Sequence, residues 1–583
     1  MEFGFKKELY HGQRKLIEDA SFAIENGKIA IVSSPTGTGK TLSLLCVASK
    51  YLSKPKNDDE NLFNLLNFKE NTKIYYCSRT HSQLSQVINE LKNCSTNYTS
   101  VILGSRKVYC VNPEVNSIKD VDSLNDKCKF LVKNDCCLFY KNSFYNQLPL
   151  DIEDLKSLAL KEYFCPYYYS KNKASECEIV FLPYNLLFTK DGRSSLDISL
   201  KDKILIVDEA HNIYDSVIEL NSAEISWIDL KTISLAKGLS NDLKEIISKI
   251  QNYKSAGPIP HVKSVVTFLI ECKISNFNML EISEKIEKDR LAQKNDMKCI
   301  FEFSKFLKYL TFSDEHGKIF VDQNKIKFLC VNPKMYFEEL KECKSVIFAG
   351  GTMEPIAQLK NIFPEIQYFN YPAVNTNFIS IIMPETVTGK NITLSFTQRN
   401  EQMDDVLNTI VALSNPVLTG GIIIFVSSNQ ILQLVKQSPK ISNFRRKVYF
   451  EGSMSFEQFK DSPEILFAVM GGSLSEGINF NDNLCRLLIV MGVPFPSKSP
   501  EIDEKVKVLK DYEILTAMKT VNQTIGRAIR HKNDYAAIIL LDSRFIQLKK
   551  HLSPWLMPKT QICKFGEGLV TMNSFLKSNL TNT

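Results

Sequence analysis

No run of 18 or more apolar residues occurs in this 583-residue chain, so a membrane-spanning helix is not expected. Glu2, Lys6, Lys7 and Glu8 interrupt the N-terminus before any apolar stretch, so no secretory signal core is expected and the protein is expected to stay inside the cell. There is no repeat at a fixed period and no long low-complexity tract, which sets aside repeat architectures; the polar stretch 54–60 reads as a surface loop. A strong charge of one sign is also missing. The 72 Lys and Arg against 65 Asp and Glu leave a net charge of +7, which permits a polyanionic partner without requiring one. What is present is ordinary for a globular protein, with 44% hydrophobic and 23% charged residues, over a length that suggests about three or four domains.

The chemistry begins at Ser34-Pro35-Thr36-Gly37-Thr38-Gly39-Lys40-Thr41. The apolar run 29–32 leads into it and a helical apolar pattern, 42–48, leaves it, giving strand, glycine-rich loop and helix. Such a loop turns backbone N–H groups inward at a helix N-terminus and cradles phosphate oxygens, while Lys40 reaches the β/γ-phosphates and Thr41 ligates Mg²⁺. Upstream, an amphipathic segment over 15–24 stops near Asn26-Gly27, and Gln13 before it could sit near the nucleotide. The β-rich run 73–77 is followed by Ser78-Arg79-Thr80-His81 at a helix start. Loops at the carboxyl ends of strands form the ligand crevice of an open α/β sheet, so Arg79, Thr80 and His81 are candidates for contact with a phosphate backbone.

Five cysteines, Cys110, Cys128, Cys136, Cys137 and Cys165, then fall within 56 residues. Four thiolates could hold a [4Fe-4S] cluster or a structural zinc; these wide spacings match neither the short zinc ribbon nor the ferredoxin run, and buried thiols without metal are a third reading. The aromatic residues 163–169 beside Cys165 read as packing around a small cluster or as base-stacking faces. The strand 204–207 ends in Asp208-Glu209-Ala210-His211: Asp208 suits Mg²⁺, Glu209 suits deprotonation of an attacking water, and His211 could relay nucleotide state. Residues 212–322 carry helical periodicity, and 346–352 return to strand then glycine, placing Thr352 where a phosphate could be sensed. A second α/β unit is expected from about Pro384, with strands at 421–428, 465–469 and 487–491. In it, Gln523, Arg527 and Arg530 are expected at helical spacing on one face, aimed across a cleft at a γ-phosphate.

This ordered set of motifs resembles the XPD-like, iron-sulfur-containing superfamily 2 DNA helicases over nearly the whole chain. The fold class that the resemblance implies is α/β: two RecA-like motor domains, with an iron-sulfur domain and a mainly helical arch domain inserted into the first. The expected boundaries are 1–103, 171–215 and 326–383 for the first motor, 104–170 for the iron-sulfur domain, 216–325 for the arch and 384–583 for the second motor. The resemblance implies that Cys110, Cys128, Cys137 and Cys165 carry the [4Fe-4S] cluster, with Cys136 the alternative to Cys137. It further implies ATP and Mg²⁺ as cofactors, single-stranded and forked DNA as partners contacted by Arg79, Thr80, His81, Glu476 and Gly477, and 5′-to-3′ unwinding by a monomeric motor. Ala349-Gly350-Gly351-Thr352-Met353-Glu354-Pro355, with 472–482 and 521–531, looks like the chromosome-loss branch that acts in sister-chromatid cohesion, which implies a nuclear protein working with cohesion or replication-fork proteins. A repair helicase of a transcription-factor complex, and a DNA-bound scaffold with a dispensable ATPase, are the alternative readings.

Overall fold

The computed structural model describes residues 9–35, 37–52, 73–93, 98–140, 142, 144, 149–253, 261–295, 297–373, 377–452, 456–472, 474, 480, 482–528 and 534–580. Its first element is the helix His11–Glu25, which buries Leu16, Ile17, Ala20, Ala23 and Ile24 along one stripe. Gly27 follows at φ +59°, the left-handed conformation that lets a chain reverse after a helix, and delivers the backbone into β1 (Ile29–Ser33). Four more strands run parallel to it: β2 (Ile74–Ser78), β3 (Ser100–Ile102), β4 (Ile179–Pro183) and β5 (Ile204–Val207).

After β5 the chain leaves this sheet and builds another. Strands β6 (Ala223–Ser226), β7 (His261–Lys263), β8 (Gly317–Val321) and β9 (Lys325–Cys330) pair antiparallel in the order β6-β9-β8-β7, among helices that include Asn241–Gln251, Met279–Lys288 and Cys299–Tyr309. The insertion read as mainly helical therefore contains a four-stranded sheet. Its strands are three to six residues long and share no single burial pattern, a weaker signal than the apolar stripes of the helices around them. β9 also carries the sheet past residue 325, where the insertion was expected to end.

The chain then returns to the first sheet with β10 (Ser345–Gly350) and β11 (Gln367–Asn370), completing the order β11-β1-β10-β5-β2-β4-β3. A second parallel sheet follows, with β12 (Phe378–Ile382), β13 (Ile422–Val426), β14 (Val448–Phe450), β15 (Ile465–Val469), β16 (Leu487–Met491), β17 (Ala536–Leu541) and β18 (Thr560–Ile562) in the order β14-β15-β13-β16-β17-β12-β18. The central strands are buried at every residue, as parallel strands covered by helices on both faces must be. β12 pairs with β17 and β18, so the second unit begins between Asn370 and Phe378 rather than at Pro384. The sequence reading missed that strand because its apolar run is short and interrupted by Ser380, which is buried and receives a hydrogen bond from Thr560 (2.9 Å).

Parallel pairing decides where chemistry can sit. Ser33 registers with Gly350, and Phe348 with Val207, so β1, β10 and β5 end side by side at one edge. The loops that leave them share a single crevice.

Candidate nucleotide site and motor cleft

The loop after β1 is tied to its neighbours before any ligand is considered. Ser34 N–H donates to the Gly350 carbonyl (2.9 Å), and the Thr38 hydroxyl donates to the Pro35 carbonyl (2.8 Å) beside the Ser34 hydroxyl at 2.7 Å. Gly39 has φ +77°, a conformation that favours glycine, and a Cβ there would fall 2.1 Å from Gln13 Nε2 and displace that side chain. Gln13 is itself buried, and its amide donates to the Gly39 carbonyl (3.3 Å), so the glutamine braces the loop from the preceding helix. Lys40 opens the helix Lys40–Leu52, whose N-terminus faces the crevice. Thr36 lies outside the described residues.

Lys40 Nζ stands 2.9 Å from Asp208 Oδ1 and 2.6 Å from Glu209 Oε1. Burial alone would lower the pKa of the Lys40 ammonium, but the two carboxylates outweigh it and hold the pKa above the ordinary value. Burial likewise works to raise the pKa of Glu209, and Lys40 together with His211, whose Nδ1 is 3.2 Å from Glu209 Oε2, drives it well below. Glu209 adopts φ +53°, a left-handed backbone rare for a residue with a side chain and of a kind that clusters at functional sites. Asp208 accepts from its neighbour's N–H (2.8 Å) and, through its second oxygen, from the Tyr76 hydroxyl (2.8 Å), while the Tyr184 hydroxyl donates to its carbonyl. Burial first, and Asp208 next, raise the pKa of Tyr76 well above its usual value, so it stays a donor. These residues open onto a cavity of about 1090 Å³ lined by Gln13, Gly37, Lys40, Thr41, Asp208 and Glu209. Gln83 and Glu90, on the helix His81–Lys92, line its far side. Neither they nor Tyr76 and Tyr184 carried a motif that sequence reasoning could use.

The second unit reaches this edge with the helix Tyr512–Ile525. Gln523 Nε2 lies 3.4 Å from Asn212 Oδ1, and a Cβ on Gly526 would meet the Thr352 methyl at 3.5 Å. The expectation of one helical face for Gln523, Arg527 and Arg530 needs correction. The helix ends at Ile525, Gly526 caps it, and Arg527 follows in a turn, its N–H donating to the Thr524 carbonyl (3.3 Å) and its own carbonyl accepting from Phe480 (3.2 Å). The glycine inside the motif is where helical continuation is weakest. Arg530 lies outside the described residues, as do Glu476 and Gly477.

At the end of β2, Arg79 and Thr80 are exposed, and Thr80 caps the next helix by accepting from Gln83 N–H (3.3 Å) while the Gln83 side chain accepts from Thr80 N–H (3.1 Å). His81 is half-buried, and desolvation lowers its pKa below the ordinary 6.5; its Nδ1 has no hydrogen-bond partner among the described residues. The cysteine segment folds as short helices around a small apolar cluster in which Cys110, Cys128 and Cys137 are buried beside Val115, Leu124 and Leu131. Burial raises the Cys110 thiol to about 11 and the Cys165 thiol to about 12, with further upward pressure on both from Cys128 and Cys137. These four thiols therefore share one electrostatic neighbourhood. Cys136 is exposed, its thiol turned to the Asn134 carbonyl (3.2 Å). Among the described residues, no three His, Cys, Asp or Glu side chains are gathered closely enough to hold a single metal ion.

The sequence matches the DEAD_2 family model over residues 76–230 and the Helicase C-terminal domain model over 410–559. It is 30% identical to the ATP-dependent DNA helicase CHL1 of Vanderwaltozyma polyspora, across 88% of this chain and 75% of that one. The chain belongs to the CHL1/DDX11 helicase family. Identity is 28% to the Schizosaccharomyces pombe chl1 helicase, over 87% of this chain and 74% of that one, and 26% to the DDX11 helicase of Danio rerio, over 86% and 76%. A solved structure titled XPD_Helicase aligns over 96% of this chain and all of its own, with a TM-score of 0.65 at 21% identity, a likeness of fold. With the two parallel sheets this establishes two RecA-like helicase domains. No helix among the described residues is long and apolar enough to cross a membrane.

Proposed function

We propose that this ATP-dependent DNA helicase moves 5′ to 3′ on single-stranded DNA and separates forked duplexes, in the nucleus, in the service of sister-chromatid cohesion and genome maintenance. Family membership carries the class of enzyme. The observation that carries the mechanism is Lys40 held between Asp208 and Glu209, 2.9 and 2.6 Å away, at the mouth of the loop.

ATP entering the cavity would offer Lys40 its β/γ-phosphate oxygens in place of the two carboxylates; Asp208, so released, and Thr41 would hold Mg²⁺, which would offset charge on the phosphates, and Glu209 would be left for water. A water then attacks the γ-phosphorus and passes a proton to Glu209, while the bond to the β-phosphate oxygen breaks and ADP and phosphate leave. Gln523 and Arg527, with Arg530, act from the second unit on the charge that develops on the transferred group. Motion of that unit relative to the first shifts the grip on DNA. Arg79, Thr80 and His81 on the first unit and Glu476 and Gly477 on the second are the contacts assigned to the strand's backbone.

The residues 104–170 form, in this reading, an iron-sulfur domain and the sheet-bearing insertion after β5 an arch. Cys110, Cys128, Cys137 and Cys165 fit a [4Fe-4S] cluster in kind, since all four are thiols, three of them buried in one small apolar cluster. A cluster bound there would supply a rigid covalent crosslink for the short helices. The test is unwinding of forked duplexes carrying matched 5′ or 3′ tails by protein purified without air, beside its Lys40→Ala variant. ATP-dependent opening of the 5′-tailed fork, lost in the variant, is expected; opening of only the 3′-tailed fork overturns the polarity, and opening by the variant overturns the role of the loop.

A further inference from the structure

The helix Tyr512–Ile525 meets the first unit through contacts that repeat along one side. Asn522 Nδ2 donates to the Glu354 carbonyl (3.3 Å), Gln523 reaches Asn212, and Gly526 faces Thr352. One turn before Gln523, Lys519 forms an ion pair with Asp215 Oδ2, and the other oxygen of Asp215 accepts from the Tyr512 hydroxyl (3.0 Å). Asp215 stands three residues after Asn212 on the element that leaves Asp208-Glu209, and Lys519 stands four before Gln523, so both pairs are neighbours on their own helices. Two contacts therefore fix the register of one helix against the other. Lys519 is only 6% exposed. Burial works to raise the pKa of Asp215, and Lys519 overrides it to hold it below the ordinary value.

The same group of residues extends to the inserted sheet. Lys505, on the helix Pro500–Val508, donates to the Tyr512 hydroxyl (3.2 Å), and on that helix Glu501 receives Lys327 Nζ of β9 at 2.8 Å. Polar contacts thus run from Asp215 through Tyr512 to Lys505, and the helix Pro500–Val508 that carries Lys505 is itself tied to β9 by the Glu501–Lys327 pair.

We infer that Asp215 is a positioning residue that, through Lys519, sets the register of the helix carrying Gln523 and so couples DNA binding to turnover at the nucleotide. This rests on the proposed motor function. The pair suits the role, because Lys519 is buried while Asp215 is about a third exposed, and breaking the pair would leave the Lys519 ammonium buried without its carboxylate. Spatial continuity alone does not establish coupling, so the test must read it directly.

The variants are Asp215→Asn, Lys519→Met, the double variant, and Lys519→Arg, each compared with the parent chain for melting temperature, ATP KM, and turnover without and with single-stranded DNA. Asp215→Asn is expected to lower DNA-stimulated turnover by about tenfold, with ATP KM within about twofold and DNA-free turnover unchanged. Lys519→Arg keeps the charge and is expected to retain stimulation. The double variant removes both members of the pair and leaves Lys505, which also faces Asp215, with Glu501 on its own helix; it is expected to melt close to the parent and still lack stimulation. It decides the matter if Asp215→Asn fails to fold. Stimulation equal to that of the parent in the double variant reduces the pair to a structural contact and overturns the inference. A parent chain that hydrolyses no ATP with DNA present would instead overturn the proposed function.

Discussion

Glu209 combines a left-handed backbone with a partly buried carboxylate held ionised by Lys40 and His211. Its replacement by Gln keeps the shape and removes the base, so ATP affinity is expected to hold while turnover falls by about 10²–10⁴. The pH dependence has a definite sign. The folded pKa of Glu209 lies below its ordinary 4.5, so the stability it contributes is present in full above 4.5 and is lost as pH falls from there toward the depressed value. Lys40 is raised above its ordinary 10.5, so its contribution is complete below 10.5 and is lost only at higher pH. The difference between thermal melts of the parent and Glu209→Gln chains should therefore move against the parent as pH falls below 4.5. A difference that does not move in that direction below 4.5 would refute this account of the site.

At the scale of elements, legibility followed the strength of local pattern. The loop at 34–41 and the strand ending in Asp208-Glu209 could be read because glycine, lysine and paired carboxylates have few other uses at strand ends. β12 and the antiparallel strands could not, since their short runs resemble loop sequence, and membership of a sheet is decided by partners distant in the chain. The adjacent Cys136 and Cys137 show the same limit more sharply. Sequence leaves them equivalent, whereas the fold buries Cys137 in the apolar cluster beside Cys110 and Cys128 and turns Cys136 outward. Cys136→Ser is accordingly expected to retain the iron and sulfide of protein purified without air, and Cys137→Ser to lose them. The reverse outcome would assign the third ligand to Cys136.

For the molecule as a whole, the proposed mechanism divides the nucleotide site between two units that each fold around their own sheet. Lys40, Asp208 and Glu209 come from the first, and Gln523 and Arg527 arrive at the end of a helix from the second. At 3.4 Å the Gln523–Asn212 hydrogen bond is long, and a long side-chain bond contributes little to stability. In the proposed mechanism its value lies in what it becomes when nucleotide draws the units together, because an interaction that tightens only on the way to the transition state raises kcat rather than affinity. Gln523→Ala is therefore expected to change the stability of the nucleotide-free protein by less than about 1 kcal/mol and to leave ATP binding to the loop intact. DNA-stimulated turnover should nevertheless fall by roughly 10- to 100-fold, as befits a group acting on the transferring phosphate. Melting curves with and without a non-hydrolysable ATP analogue, set beside steady-state kinetics, separate the two effects. A variant that melts early but turns over normally would make Gln523 a structural contact, whereas normal melting with depressed kcat places the second half of the site on the second unit.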